Sequence, residues 1–584
     1  MQWLNSATRF LFFTGKGGVG KTSISTAVAI KLADAGKKVL LVSTDAASNL
    51  DEMLGVKLSN QAAVVPGVPG LELINIDPDA AAQAYRQRVV DQMGAAATQA
   101  EIGTVREQLS GACTTEIASF DEFSSLLAES NSQYDHILFD TAPSGHTLRL
   151  LSLPKAWSGF LANNDKGASC LGPHSGLKMQ ETRFNQALAA LSNPLLTSVV
   201  LVARPETSAL REVLRTSVEL KALGLSNQRL IINGVFHCSV ANDQVGQAVE
   251  LQGQVALSNM PPELKILAQD EVPLRAADSV GLPALRSLLS AATAIPTERT
   301  LSIMPMAAKR FSLLIDALSK QDHGLIMVMG KGGVGKTTIA AAIALGLIQR
   351  GKTVHLSTTD PAAHLAETLL EDVVGLQLSR IDPKVERKNY IEKIMATKGL
   401  SLNDDEKVLL LEDLQSPCTE EVAVFHAFSH IVAQARSGFV VLDTAPTGHS
   451  LLLMDAAGAY HRQMISTYEK QSGSSAKIVT PLMRMQDSNY TKIILVTLPE
   501  VTPVSQASAL QEDLRRANIE PYAWVLNRSV LAARTKDPLL AARLHGEVRQ
   551  IKRIENGLSK NLFAIPFQAQ PPMGVRALEA LVAQ

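Results

Sequence analysis

Aromatic side chains are scarce in this sequence: 4% of its 584 residues are Phe, Trp or Tyr, so a core has to be built mainly from aliphatic groups. An excess of either charge is also missing. Lys and Arg total 55 against 56 Asp and Glu, a formal net charge of −1, which argues against a nucleic-acid binder held by a basic surface. Four cysteines over this length form no disulfide framework and point to a reducing cytoplasm, and no CxxC pair occurs. No apolar run approaches the ~18 residues of a membrane span, so direct membrane insertion is not expected. The opening MQWLNSATRFLFFTGKGG lacks a basic stretch followed by a long apolar one, so no secretory signal is read there. What is present in quantity is aliphatic weight. Hydrophobic residues make up 46% and charged residues 19%, a balance that supports a large ordered core and excludes extended disorder. At ~150 residues per domain the length allows about four domains or two large ones.

Internal similarity chooses the second. FFTGKGGVGKTS at Phe12–Ser23 recurs as MVMGKGGVGKTT at Met327–Thr338, and VLLVSTDAASNL at Val39–Leu50 matches TVHLSTTDPAAHL at Thr353–Leu365. CTTEIASFDEF from Cys113 matches CTEEVAVFHAF from Cys418, and ILFDTAPSGHTLRLL from Ile137 matches VVLDTAPTGHSLLLL from Val440. LIINGVF at Leu230–Phe236 echoes WVLNRSV at Trp524–Val530. The order is preserved and the separation drifts only gradually, as for duplicated halves that differ by small loop changes. The expected organisation is a first half over 1–289, a linker over 290–322 that has proline and no counterpart in the other half, and a second half over 323–584.

Within each half, short apolar runs alternate with helix-length segments. The runs Phe10–Phe13, Val39–Val42, Leu73–Ile76, Ile137–Phe139, Val199–Val202 and Leu230–Ile232 are continuous and rich in β-branched residues, as expected of strands covered on both faces. Leu325–Met329, Val354–Leu356, Val440–Leu442, Ile493–Val496 and Trp524–Leu526 repeat them. The fold class is therefore α/β: two like domains, each with a mostly parallel sheet covered by helices, expected to pack face to face as a pseudo-dimer.

Gly15-x4-Gly20-Lys21-Thr22 and Gly330-x4-Gly335-Lys336-Thr337 both fit GxxxxGK[ST], each after an apolar strand and at the start of a helix. Such a loop wraps phosphates in backbone N–H groups, with the helix dipole behind them. The nucleotide-binding residues are Gly15, Lys16, Gly17, Gly18, Val19, Gly20, Lys21, Thr22 and Ser23, with Gly330, Lys331, Gly332, Gly333, Val334, Gly335, Lys336, Thr337 and Thr338 in the second half. Lys21 and Lys336 are assigned to the β/γ-phosphates of ATP, and the Thr22 and Thr337 hydroxyls to Mg²⁺. The extra lysines, Lys16 and Lys331, give a loop that resembles the deviant P-loop ATPases, the class of the nitrogenase iron protein and the division-site-selecting ATPase. In that class this lysine reaches the nucleotide of the partner. A solvated loop lysine is the plainer alternative.

Asp140 and Asp443 end apolar strands in DTAP[ST]GH, placing a carboxylate beside the P-loop where it can hold water on Mg²⁺. Asp45 and Asp360 also follow strands and are candidates to position or activate the attacking water, with helix capping as the alternative. Pro361 follows Asp360 where the first half has Ala46, so identical behaviour of the two halves is not implied. Asn233 and Asn527 follow late strands; an amide suits the edge of an adenine, and a turn asparagine is the alternative.

Among the cysteines, Cys113 and Cys418 occupy equivalent repeat positions, and Cys170 sits in a loop-like stretch without a counterpart. Without CxxC pairs zinc is disfavoured, and three thiolates suit a soft thiophilic centre better. Cys238 reads as a small buried hydrophobe. With these contexts (GACTTE, GASCLGP, SPCTEE) added to the paired GKGGVGKT and DTAP[ST]GH segments, the whole chain resembles the arsenite-transport, or arsenical pump-driving (ArsA), ATPase family in its tandem form. The resemblance implies ATP hydrolysis stimulated by arsenite or antimonite, docking on a membrane arsenite carrier, and loading by a small arsenic metallochaperone. It implies Cys113, Cys170 and Cys418 as metalloid thiols, with His146, Ser416 and His449 as further contacts. The expected location is cytoplasmic, peripheral at the inner membrane when bound to the carrier.

A related fold serves tail-anchored-protein targeting ATPases. That class usually has one half per chain, a CxxC zinc site and a Met-rich client insert, whereas this chain is tandem, without CxxC, and its 15 Met are scattered. A partitioning ATPase would favour a basic patch or a terminal amphipathic anchor, and the tail PPMGVRALEALVAQ is short and weakly charged for that.

Overall fold

The computed structural model describes residues 1–583 apart from 45–49, most of 94–111, 128–132, 142–185, 277–279, 291–307, 360–364, parts of 398–416, 445–479 and position 571. Inside some helices it describes the backbone but not every side chain; Cys113 and Cys418 are such residues. The chain forms two compact units, Met1–Thr297 with Asp537–Leu539, and Glu298–Lys536 with Leu540–Gln584.

The sheet of unit 1 contains β1 (Phe10–Thr14), β2 (Val39–Ser43), β3 (Ala63–Val64), β4 (Leu71–Asn75), β5 (His136–Asp140), β6 (Thr197–Ala203), β7 (Gln228–Val235) and β8 (Ala268–Pro273). Its order is β3-β4-β2-β5-β1-β6-β7-β8, parallel except for the β3–β4 pair. β1, β2, β5 and β6 are buried along their whole length, as their unbroken apolar runs require. The helix Lys21–Asp34 packs Ile24, Val28 and Ile30 on one face of the sheet. The other face gathers much of the little aromatic material there is. Phe12 stacks on Phe139 at 4.5 Å between ring centroids, and Phe123 lies 5.0 Å from Phe139. Phe120 and Phe123 belong to the helix Ala112–Leu127, so the segment that begins with Cys113 is anchored on the sheet by its aromatic second half.

Unit 2 repeats the design with β9 (Lys309–Arg310), β10 (Gly324–Met329), β11 (Val354–Thr358), β12 (Leu376–Arg380), β13 (Phe439–Asp443), β14 (Thr491–Thr497), β15 (Ala523–Ser529) and β16 (Leu562–Pro566). The order is β12-β11-β13-β10-β14-β15-β16-β9, and every pair is parallel. The P-loop strand is central in both sheets, β1 between β5 and β6, β10 between β13 and β14. Strands of a parallel sheet point their carboxyl ends one way, so the loops that follow these neighbours crowd around each P-loop.

Part of the stretch expected to be linker is folded. β9 pairs with β16, and the helix Phe311–Leu318 buries Phe311, Leu314, Ile315 and Leu318 in the core of unit 2. Those four residues have the i, i+3, i+4, i+7 spacing of a helix face, a pattern only two turns long and easily lost behind the irregular residues before it. The expected linker residues 291–307 lie outside the described set.

Candidate nucleotide sites

Each P-loop is shaped by glycines that admit no side chain. Gly15 has φ +151°, and a Cβ there would lie 2.2 Å from the carbonyl oxygen of Val202 on β6. Gly330 has φ +147°, with the Val496 carbonyl of β14 at 2.3 Å from such an atom. The loops thus rest directly on the neighbouring strand. Gly20 and Gly335, both in the left-handed region, end the loops and stand at the N-cap position of the helices Lys21–Asp34 and Lys336–Ile348. Lys21 and Lys336 open those helices, each 6% exposed, and each ammonium donates to the carbonyl of its own loop, Lys16 or Lys331, at 3.2 Å. An ammonium held in a glycine-rich loop at the positive end of a helix concentrates positive potential where an oligophosphate would supply the opposite charge.

The carboxylates are placed by register. β1 pairs Phe13 with Asp140, β2 pairs Ser43 with Asp140, and in unit 2 Val328 and Thr358 pair with Asp443. Both aspartates are buried, at 1% and 0% exposure. Asp443 Oδ2 accepts from Thr337 Oγ1 at 2.7 Å and from Thr358 Oγ1 at 3.2 Å. The P-loop threonine and the strand-end carboxylate are therefore adjacent, an oxygen-only donor set of the kind Mg²⁺ takes beside phosphate oxygens. Thr141 and Thr444 donate back to Phe13 O and Val328 O, which ties the strand ends together. The N–H groups of Thr44 and Thr359 donate to the carbonyls of Asp140 and Asp443, both at 3.0 Å, so the segments leading to Asp45 and Asp360 start beside the same carboxylates.

Asn233 and Asn527 carry a contact that was not foreseen. Their Nδ2 groups donate to Val19 O at 2.8 Å and Val334 O at 2.9 Å, inside the P-loops. Each asparagine braces the phosphate loop and keeps a second N–H for another partner.

A family model described as Anion-transporting ATPase matches residues 8–292 and 323–488. The chain belongs to this ATPase family. An arsenical pump-driving ATPase of Escherichia coli is 49% identical to it over 585 residues, covering 100% of both chains. A putative arsenical pump-driving ATPase of Halobacterium salinarum is 30% identical over 97% of this chain and 93% of its own. ATPase GET3 of Komagataella phaffii is 29% identical, over 39% of this chain and 73% of its own. The family makes the protein an ATP hydrolase that binds ATP.

The remaining candidate residues of this ATPase divide sharply. Lys16 donates to Ser208 Oγ at 3.1 Å, on the first turn of the helix Thr207–Ala222 in its own unit. Ser208 was missed; the recurrence of Pro-Glu at Pro205–Glu206 and Pro499–Glu500 ahead of these helices was its readable signal. Cys113 and Cys418 are placed in the first turns of the helices Ala112–Leu127 and Pro417–Gln434. Their side chains, and Asp45, His146, Cys170, Asp360, Ser416 and His449 altogether, lie outside the described residues. Cys238 is partly buried and its Sγ contacts Val240 O at 3.3 Å. No helix among the described residues is long and apolar enough to cross a membrane.

Proposed function

We propose that this ATPase hydrolyses Mg²⁺-bound ATP at both P-loops, that arsenite or antimonite stimulates it, and that it energises a membrane carrier for the metalloid. The observation that carries this reading is a likeness running the whole length of the E. coli arsenical pump-driving ATPase, with both P-loops intact. Mg²⁺ would be held by Thr22 or Thr337 with Asp140 or Asp443 behind it, and when bound it supplies neutralisation of phosphate charge. Lys21 and Lys336 grip the transferred phosphoryl group. Asp45 and Asp360 orient the attacking water, Lys16 and Lys331 add charge at the phosphates, and Asn233 and Asn527 meet the adenine. The Cys113, Cys170 and Cys418 thiolates hold the metalloid, with His146, Ser416 and His449 as further contacts. A small metallochaperone delivers it, and the protein works in the cytoplasm, peripheral at the inner membrane while docked on the carrier.

A metalloid can stimulate only by binding the hydrolytically competent arrangement better than the resting one. Cys113→Ser and Cys418→Ser are therefore expected to keep basal hydrolysis and lose most arsenite stimulation, and Cys170→Ser to lose less. Cys238→Ser should respond like the parent. Phosphate release measured against arsenite concentration decides this. Full stimulation in Cys113→Ser and Cys418→Ser would remove the thiol site, and a parent protein indifferent to arsenite would remove the metalloid reading altogether.

A further inference from the structure

Glu547, on the helix Pro538–Arg553, is a carboxylate with 4% exposure that no part of the proposed hydrolysis uses. Its Oε1 accepts from the Ser529 hydroxyl, and its Oε2 accepts from the N–H groups of Val530 and Leu531, each at 3.2 Å. Ser529 Oγ in turn accepts from Ala532 N at 3.1 Å. One buried acidic group thus gathers the donors of the turn that leaves β15. That turn is under strain. Arg528 has φ +59°, and the β15–β16 register shifts between Leu526 and Ser529. A non-glycine residue in the left-handed region persists where its surroundings over-determine it, and here those surroundings include the Glu547 bonds to the three residues that follow Arg528.

The consequence falls on Asn527. With Arg528 in this conformation its N–H donates to Asn527 Oδ1 at 2.9 Å, while Asn527 Nδ2 donates to Val334 O at 2.9 Å. The amide plane is held at both ends. In unit 1 the equivalent turn is built otherwise. Gly234 takes the positive φ at no steric cost, Val235 stands in the place of Ser529, and Glu250 accepts from Cys238 N at 3.1 Å, further along the turn. Among the described residues nothing donates to Asn233 Oδ1 there, so that amide is tied at the Val19 end alone. One turn before Glu547, Arg543 pairs with Glu500 at 3.1 Å, which joins the loop after β14 to the same brace in unit 2.

We infer that Glu547 is a positioning residue that presets the base end of the second-half nucleotide site, through Ser529, Arg528 and Asn527, and that the first-half site lacks this device and adjusts on binding. The inference rests on the proposed assignment of Asn527 to the adenine. Rigidifying a loop in its bound form lowers the cost of ordering it when ligand arrives. Losing the brace should then weaken binding of the whole nucleotide and leave binding of its phosphate chain alone.

The test uses the full chain carrying Lys21→Ala, so that equilibrium binding reports the second-half site, with ATP and inorganic tripolyphosphate as two probes. Glu547→Ala is expected to raise the Kd for ATP about tenfold, the equivalent of losing one strong buried hydrogen bond, and to leave the Kd for tripolyphosphate unchanged. Glu547→Gln, which keeps one acceptor oxygen, should recover part of the ATP affinity. In a Lys336→Ala chain, which reports the first-half site, Glu547→Ala should change neither Kd. An unchanged ATP affinity in Glu547→Ala would overturn the inference. So would an equal loss for ATP and tripolyphosphate, which would mark Glu547 as merely structural. If the Lys21→Ala parent itself bound ATP no better than tripolyphosphate, it is the assignment of Asn527 to the base that would fail.

Discussion

Lys336→Ala is expected to lower ATP hydrolysis at the second-half site about 10²–10³-fold, and Lys21→Ala to do the same in the first half, as for removal of one well-placed charged donor from a transition state. The expectation follows from how the lysines are held. Each is almost fully buried on the first residue of its helix, and its ammonium already points back into the loop at the carbonyl of Lys16 or Lys331. The charge is therefore fixed before nucleotide arrives, and little reorganisation stands between binding and stabilisation of the developing negative charge. A buried cation at the positive end of a helix is locally unfavourable, so its removal should not destabilise the fold. The diagnostic pattern is a large fall in phosphate release with an unchanged or higher melting temperature. Near-parental rates in both single variants would show that neither loop is a hydrolytic site.

Gly330→Ala should be the most damaging single-methyl change in unit 2. At φ +147° an alanine is strained in itself, and its Cβ would press 2.3 Å from the Val496 carbonyl oxygen. That oxygen belongs to β14, which is paired with β10 on one side and β15 on the other and has no room to withdraw. Strain and overlap together cost about 2–4 kcal/mol. The loop can escape only by lifting away from β14, which also misplaces its N–H groups. Gly351→Ala is the matched control: its φ is also positive, at +76°, but nothing lies within 4 Å of the added carbon. It should cost about 1 kcal/mol and leave nucleotide binding intact. ATP titrations and melting curves of the two variants should therefore differ clearly. If Gly330→Ala behaved like Gly351→Ala, the close seating of the loop on β14 would be wrong.

The P-loops were readable from sequence because their chemistry is made by the backbone of one contiguous segment, bounded by a strand and a helix. Asp140 and Asp443 were readable because each ends a run of buried aliphatics. The central strands were legible for the same reason. β12 was not: LQLSR is a half-exposed edge strand without an apolar run. β8, with AQDEVP, hides equally well, and the run of β16 is short and ends in a proline. Contacts that join distant segments left no local trace. Nothing around Lys16 announces Ser208, whose one readable mark is the Pro-Glu pair that recurs ahead of its helix, far along the chain. Glu547 sits among Arg and Gln residues on an amphipathic helix, so its burial follows from where the helix docks. Asn527 reads in sequence as a ligand for adenine; its use as a brace for the phosphate loop rests on a contact with Val334 O across 193 residues of chain, which leaves no local mark.

The pairing of β9 with β16 governs the order in which the chain can mature on the ribosome. All eight strands of the first sheet have been synthesised by Pro273, so that sheet can close while most of the second half is still unmade. The second sheet begins at Lys309 and cannot be finished until Leu562–Pro566 appears. At roughly 5–20 residues per second this leaves β9 and the helix behind it waiting for tens of seconds with an incomplete hydrophobic face. Nascent chains stalled before β16 should thus present a protease-resistant first half and a digestible second half, and this second half should be the part that engages chaperones during synthesis.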